Sequence, residues 1–185
     1  MFEKILTRIG ATLEAADLDY MVIGGQAVLL YGEPRLTKDI DVTLGVGPEQ
    51  VAEVVDLVRQ MNLKPLAEDP ESFVRETMVL PCQASDTEVQ VDLVFSFSPY
   101  EQQAFERTQS VEMSGTHVQF ASPEDVIVHK IVAGRPRDLE DVRSILLKNP
   151  SVDQEYVRHW LTDFSASLGR PFLDQFENIL REVDG

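Results

Sequence analysis

Basic residues are scarce in this chain. Lysine and arginine together number 16 against 32 aspartates and glutamates, a formal net charge of −16 over 185 residues. A domain that coats a nucleic-acid backbone draws much of its affinity from neutralising phosphates, so extended wrapping of nucleic acid is excluded. A polybasic membrane-surface anchor is excluded for the same reason. Cysteine is nearly absent: Cys82 stands alone, so no intramolecular disulfide and no cysteine-rich metal site can form, which suits a reducing, cytoplasmic setting. The histidines, His117, His129 and His159, are too scattered for a zinc site. No apolar run approaches the roughly 18 residues that a membrane-spanning helix needs. Residues 1–19 lack the uninterrupted apolar stretch of a signal peptide, so neither membrane insertion nor secretion is expected. Internal repeats and low-complexity tracts are missing as well.

What is present suits one folded domain, or one core with an appendage. The hydrophobic share is 43%, enough for a sizeable core. Ile5, Leu6, Ile9, Leu13 and Ala16 recur at helical spacing. Tyr20 to Ile23 is a short apolar run that enters Gly24-Gly25 and reads as a strand before a tight turn, with Gln26 to Tyr31 helical after it. Residues 39–46 alternate as a strand, with Ile40, Val42 and Leu44 on one face and Asp39, Asp41 and Thr43 on the other. A helix follows from Pro48 to Met61. Strands are expected around 73–80 and 88–95, and a hairpin-like pair at 110–113 and 117–120. Ser122-Pro123-Glu124-Asp125 carries the cap, proline and early carboxylates of a helix start. Helices are then expected over 123–133, 138–148, 153–167 and 171–183. The fold class is therefore α+β: strands and helices mixed over residues 1–120, and a helical C-terminal region over 121–185.

Gly24-Gly25-Gln26-Ala27 and Thr37-Lys38-Asp39-Ile40-Asp41 carry the chemistry. Two glycines after a buried strand let the backbone turn sharply and offer N–H groups to phosphate oxygens. Asp39 and Asp41, two apart on a strand, project from one face and repel each other unless a cation lies between them; a hard divalent ion with a preference for oxygen is the natural one. Asp92 sits inside the apolar run 89–95, where a carboxylate is costly unless paired or bound to metal. If its strand lies beside 39–46, three carboxylates converge in a way that suits one or two Mg²⁺ ions and a nucleoside triphosphate. Singly, these pieces read as a turn, a solvated strand face and an edge charge; their order along the chain is what points to chemistry. One segment, 129–148, runs against the acidic trend, with Lys130, Arg135, Arg137, Arg143 and Lys148 against Asp138, Glu140 and Asp141. Trp160, Phe164, Phe172 and Phe176 fall at helical spacing and read as core rather than as a base-stacking platform.

With these residues in view, the chain resembles the nucleotidyltransferase fold of the polymerase-beta type, and within it the abortive-infection AbiEii-type group that includes type IV toxins. The resemblance spans roughly residues 18–148. It rests on Gly24-Gly25, on Arg35-Leu36-Thr37-Lys38-Asp39-Ile40-Asp41, and on Ser122-Pro123-Glu124-Asp125 with Lys130 and Arg137-Asp138-Leu139-Glu140-Asp141. It implies a mixed-sheet core with helices on one face, followed by a C-terminal helical bundle packed on that core. Asp39, Asp41 and Asp92 would bind metal, with Asp92 also the base or metal partner for an acceptor hydroxyl. Gly24, Gly25, Arg35, Thr37, Lys38 and Arg137 would hold the nucleotide. Lys130 would reach the phosphates, oriented by Asp138 or Asp141. The implied activity is Mg²⁺-dependent transfer of a nucleoside monophosphate from an NTP to a hydroxyl: the end of an RNA such as tRNA, a protein side chain or a small molecule. A type IV toxin would also have an antitoxin or regulator as partner. The alternative is a catalytically inactive domain of the same fold that binds nucleotide or another protein.

Overall fold

The computed structural model describes residues 1–185 apart from the side chain of Asp184. Its elements run α1 (Phe2–Ala15), β1 (Tyr20–Ile23), α2 (Gly24–Tyr31), β2 (Asp39–Leu44), a 3₁₀ turn (Pro48–Gln50), α3 (Val51–Gln60), β3 (Leu63–Pro65), α4 (Pro70–Thr77), β4 (Val79–Ala84), β5 (Gln90–Phe95), α5 (Pro99–Glu106), β6 (Gln109–Met113), β7 (Thr116–Phe120), α6 (Pro123–Ala133), α7 (Pro136–Lys148), α8 (Gln154–Leu168) and α9 (Phe172–Asp184). This is the mixed α and β content that the sequence predicts. Two compact units form. One holds residues 1–26 and 37–121, the other residues 27–36 and 122–185, so the division falls inside α2.

The first unit contains the sheet, ordered β3-β4-β5-β2-β1-β7-β6. β2 runs parallel to β5 and antiparallel to β1, and β1 runs parallel to β7. The alternation in β2 has its expected result: Ile40, Val42 and Leu44 are fully buried, as are Val91 and Leu93 of β5. The same burial takes in one stripe of α1 (Ile5, Leu6, Ile9, Leu13) and one of α3 (Val51, Val54, Val58), which together make the unit's apolar core. The opposite face of β2 and β5 carries the polar residues.

Residues 73–80 are not one strand. Pro70–Thr77 is helical, because Asp69 caps it by accepting a hydrogen bond from the Ser72 N–H at 3.1 Å and Pro70 opens its first turn. The helix ends at Met78, whose φ of 60° is left-handed, and only then does β4 begin. α5 starts on the same signature. Ser98 precedes Pro99, and Glu101 accepts from the Ser98 N–H at 3.2 Å.

The second unit is helical. α6 packs on α7, α8 and α9, and α9 also packs on α7 and α8. Its core is built from Val126, Ile127, Ile131, Val142, Ile145, Val157, Leu161, Phe172 and Phe176. Of the aromatics expected in the core, Phe172 and Phe176 are buried, whereas Trp160 and Phe164 are half-buried. Among the described residues, no helix is long and apolar enough to cross a membrane.

Candidate active site

In the first unit, β1 delivers the chain to Gly24, which adopts φ +64° and opens α2. Helix starts leave their first N–H groups without an intrahelical partner, so Gly24, Gly25 and Gln26 present such groups here. A Cβ built on Gly24 would overlap the Asp41 carboxylate. Glycine is therefore required at 24 twice over, by the left-handed backbone and by the approach of Asp41. Gln26, buried, donates its side-chain amide to the Asp39 carbonyl at 3.4 Å.

The register of β2 and β5 then sets the carboxylates. Asp41 lies directly opposite Asp92, and Asp39 opposite Gln90. Parallel neighbours stand about 4.8 Å apart, and residues two apart share a face. Asp39, Asp41, Gln90 and Asp92 thus occupy one face over two adjacent strands. Asp39 is exposed; Asp41 and Asp92 are half-buried. Thr37, buried, donates its hydroxyl to Asp39 Oδ1 at 3.2 Å, and Gln90 donates its amide to Asp92 Oδ1 at 3.0 Å. Lys38 is exposed beside them in sequence.

Among the described residues, no three acidic, histidine or cysteine side chains stand close enough to hold a metal ion as they are placed. Two of the three carboxylates are instead engaged by neutral donors. The donor set still fits a hard divalent cation: it is all oxygen, on one face, with Asp41 and Asp92 in matched register. Ligation would exchange the hydrogen bonds from Thr37 and Gln90 for bonds to metal or share the second oxygen of each carboxylate.

The second unit assembles the other predicted residues. α6 ends at Gly134, whose φ of +65° turns the chain through Arg135 into Pro136, the first residue of α7. That hairpin brings α7 back against Lys130. Asp138 and Asp141, three apart on one face of α7, both meet its ammonium, at 2.7 and 3.0 Å. Arg35 clasps Asp141 through two bonds, Nε to Oδ1 at 2.9 Å and Nη2 to Oδ2 at 3.0 Å. Arg135 donates to Asp138 Oδ2 at 2.6 Å. Lys130, Asp138 and Asp141 are all buried. Burial pushes the Asp138 pKa up, but the hydrogen bonds from Arg135 and Lys130 outweigh it and hold the carboxyl below its ordinary value. Arg137 stands apart from this cluster: it is exposed and donates to the Leu36 carbonyl at 3.2 Å.

Ser122-Pro123-Glu124-Asp125 serves the helices. The Ser122 hydroxyl accepts from the Asp125 N–H at 3.1 Å and donates to Asp125 Oδ2 at 2.6 Å. Tyr156 of α8 donates to Asp125 Oδ1 at 2.8 Å, and Glu124 accepts from the Asp153 N–H at 2.8 Å, just ahead of α8. Both acids are buried tie points between α6 and α8. Cys82 is buried in β4, and burial, reinforced by the charge of Asp92, pushes its thiol up to about 12. It is a core residue and no nucleophile.

Gln90 and Gln26 are the polar residues at the carboxylates that sequence reasoning passed over. Gln90 carried a usable signal: it precedes Asp92 by two on a strand, the same relation that links Asp39 to Asp41.

A family model described as "Nucleotidyltransferase of unknown function (DUF6036)" matches residues 2–170. No curated protein matches the chain. Among solved structures, the antibiotic-resistance factor ANT(2'')-Ia shares 18% identity at a TM-score of 0.60, over 90% of this chain and 92% of that one. An antigenic nucleotidyltransferase-like protein from Paracoccidioides brasiliensis shares 16% at 0.56, over 94% and 91%. The lincosamide antibiotic adenylyltransferase LnuA, in its lincomycin-bound structure, shares 14% at 0.53, over 77% and 94%. These are likenesses of fold, and they agree with the mixed-sheet architecture described above.

Proposed function

Since the chain belongs to that nucleotidyltransferase family, we propose that it transfers a nucleoside monophosphate from an NTP to a hydroxyl acceptor in a Mg²⁺-dependent reaction. The observation that carries this reading is the register of Asp41 against Asp92, with Asp39 one step along the same face. Asp39, Asp41 and Asp92 would hold Mg²⁺, which when bound supplies charge neutralisation for the triphosphate and the leaving pyrophosphate. Gly24 and Gly25 offer backbone N–H groups to phosphate oxygens. Asp92 takes the proton of the acceptor hydroxyl as its oxygen bonds to the α-phosphorus. The bond to the bridging oxygen breaks and pyrophosphate leaves. Thr37 keeps Asp39 in place, and Lys38 is free of the sheet to meet the nucleotide. The roles of Lys130, Arg35, Arg137, Asp138 and Asp141 rest on the resemblance to AbiEii-type sequences: Lys130 to meet the phosphates, with Asp138 and Asp141 fixing its ammonium.

A small acceptor suits the chain best. A net charge of −16 opposes a long phosphate polymer and favours an uncharged or cationic molecule, or one narrowly held end of a polymer. Two of the similar folds belong to proteins whose structures contain small antibiotics: adenylyl-2''-tobramycin in ANT(2'')-Ia and lincomycin in LnuA. A toxin role, with an antitoxin partner and a tRNA acceptor, rests on the AbiEii-type motifs alone and would show as growth arrest on expression.

The test is direct. The purified chain is incubated with each NTP labelled at the α-phosphate, with Mg²⁺, and with small hydroxylated molecules, total tRNA or protein as acceptors. Label appearing on one acceptor class, and lost with Asp39→Ala plus Asp41→Ala, supports the reading. Nucleotide bound with no transfer and no pyrophosphate released with any acceptor would leave the inactive-domain alternative.

A further inference from the structure

We propose that Gln90 is a positioning residue that fixes the Asp92 carboxylate, so that one of its oxygens is held and the other is left for the reaction. The inference rests on the reading of Asp92 given above and extends it to a residue outside the predicted site.

Gln90 opens β5 and Asp92 follows two residues later, so both project from the same face. The Gln90 amide nitrogen donates to Asp92 Oδ1 at 3.0 Å. Across the sheet, Gln90 is the register partner of Asp39 on one side and of Gln83 on the other. It therefore stands beside two of the three carboxylates yet adds no charge to them. An acid at this position would put a fourth carboxylate on a face that already holds three. An apolar residue would leave Asp92 free to rotate about its side-chain bonds. A neutral donor avoids both. Thr37 treats Asp39 in the same way, hydroxyl to Oδ1 at 3.2 Å, while Asp41 is confined by its packing against Gly24. Asp39 and Asp92 are thus each oriented by a neutral donor.

Gln90 is exposed and contributes nothing to the apolar core, so its hydrogen bond is not needed to build the sheet. Groups that orient a ligating carboxylate change metal affinity or activity by about 10–100-fold when removed. Gln90→Met keeps the length and loses the donor.

The experiment titrates Mn²⁺ into the full chain, followed by electron paramagnetic resonance, alone and with the α,β-methylene analogue of each NTP. Wild type, Gln90→Met, Asp92→Asn and the double variant are compared, with thermal midpoints as the control for folding. The expected result is Mn²⁺ affinity lowered about tenfold or more in Gln90→Met at an unchanged midpoint. In the Asp92→Asn background the second substitution adds nothing further, because a residue that acts through Asp92 has nothing left to act on. Gln90→Met binding Mn²⁺ like wild type while Asp92→Asn binds it weakly would overturn the proposal and leave the reading of Asp92 standing. So would losses that simply multiply in the double variant. Asp92→Asn binding like wild type, or no Mn²⁺ bound by wild type in any mixture, would remove the reading and the proposal together.

Discussion

The carboxylate of Asp41 fills the space that a side chain on residue 24 would need. The turn that ends β1 and the second aspartate of the Asp-x-Asp pair are therefore one device. Gly24→Ala meets two penalties: a left-handed backbone, worth about 1–2 kcal/mol, and displacement of Asp41. Gly169 separates them, because it has the same φ of +64° with nothing within 4 Å of a built Cβ. Gly169→Ala should lower stability in urea unfolding and leave nucleotide and Mn²⁺ binding intact. Gly24→Ala should lower both. Normal binding by Gly24→Ala would contradict this account of the turn.

The buried charges of α6 and α7 are arranged with redundancy. Without Lys130, Asp138 would keep Arg135 and Asp141 would keep Arg35. Lys130→Met should therefore cost less than the about 3–5 kcal/mol expected when a buried charge is stranded. Combining it with Arg35→Met strands Asp141 and should bring the loss into that range. Denaturant unfolding of the two variants measures the difference. Equal losses would mean that Arg35 does not share the neutralisation of Asp141.

Asp138 links this cluster to pH. Its folded pKa is depressed, since the hydrogen bonds from Arg135 and Lys130 overcome the effect of burial. Such a group adds stability that is fully present above the unfolded value, roughly 3.9, and is lost as pH falls through the lower folded value. The stability gap between wild type and Asp138→Asn should be constant near neutrality and shrink below about pH 4. A gap that persists unchanged in acid would assign the loss in Asp138→Asn to packing.

Cys82 should be silent to thiol reagents. Its thiol is buried and pushed up to about 12, first by burial and then by Asp92. Disulfide-exchange reagent at neutral pH should label it only after unfolding, so its labelling rate reports the opening of β4. Rapid labelling of the native chain would show that the β4 region opens without global unfolding.

The sequence was most readable where one period governed a segment. Ile40, Val42 and Leu44 against Asp39 and Asp41 gave β2 and its two faces, and the glycines after Ile23 gave the turn. Local capping overrides apolar content elsewhere. Residues 73–80 looked like a strand because Phe73, Val74, Val79 and Leu80 are β-formers, but Asp69 and Pro70 start a helix ahead of them. α5 lies outside the expected elements although Ser98-Pro99 repeats the start seen at Ser122-Pro123. The pairing of Asp41 with Asp92 is long-range register, which no local pattern encodes; only the cost of a carboxylate in an apolar strand hinted at it. Within 129–148, Arg137 and Asp141 stand four apart, the spacing of a helical ion pair, whereas the structure gives that carboxylate to Arg35 and Lys130. The partner came from a distant segment, beyond the reach of helical spacing.

The central claim is that Asp41 and Asp92, side by side in register, work as a pair in nucleotidyl transfer. Mg²⁺-dependent pyrophosphate release from NTP, measured with the acceptor that takes up label, tests it most directly. The account expects Asp41→Asn and Asp92→Asn each to lower the rate by about a hundredfold or more, and the double variant to be little worse than either, because the two act as a unit. Either single variant releasing pyrophosphate at the wild-type rate would contradict it.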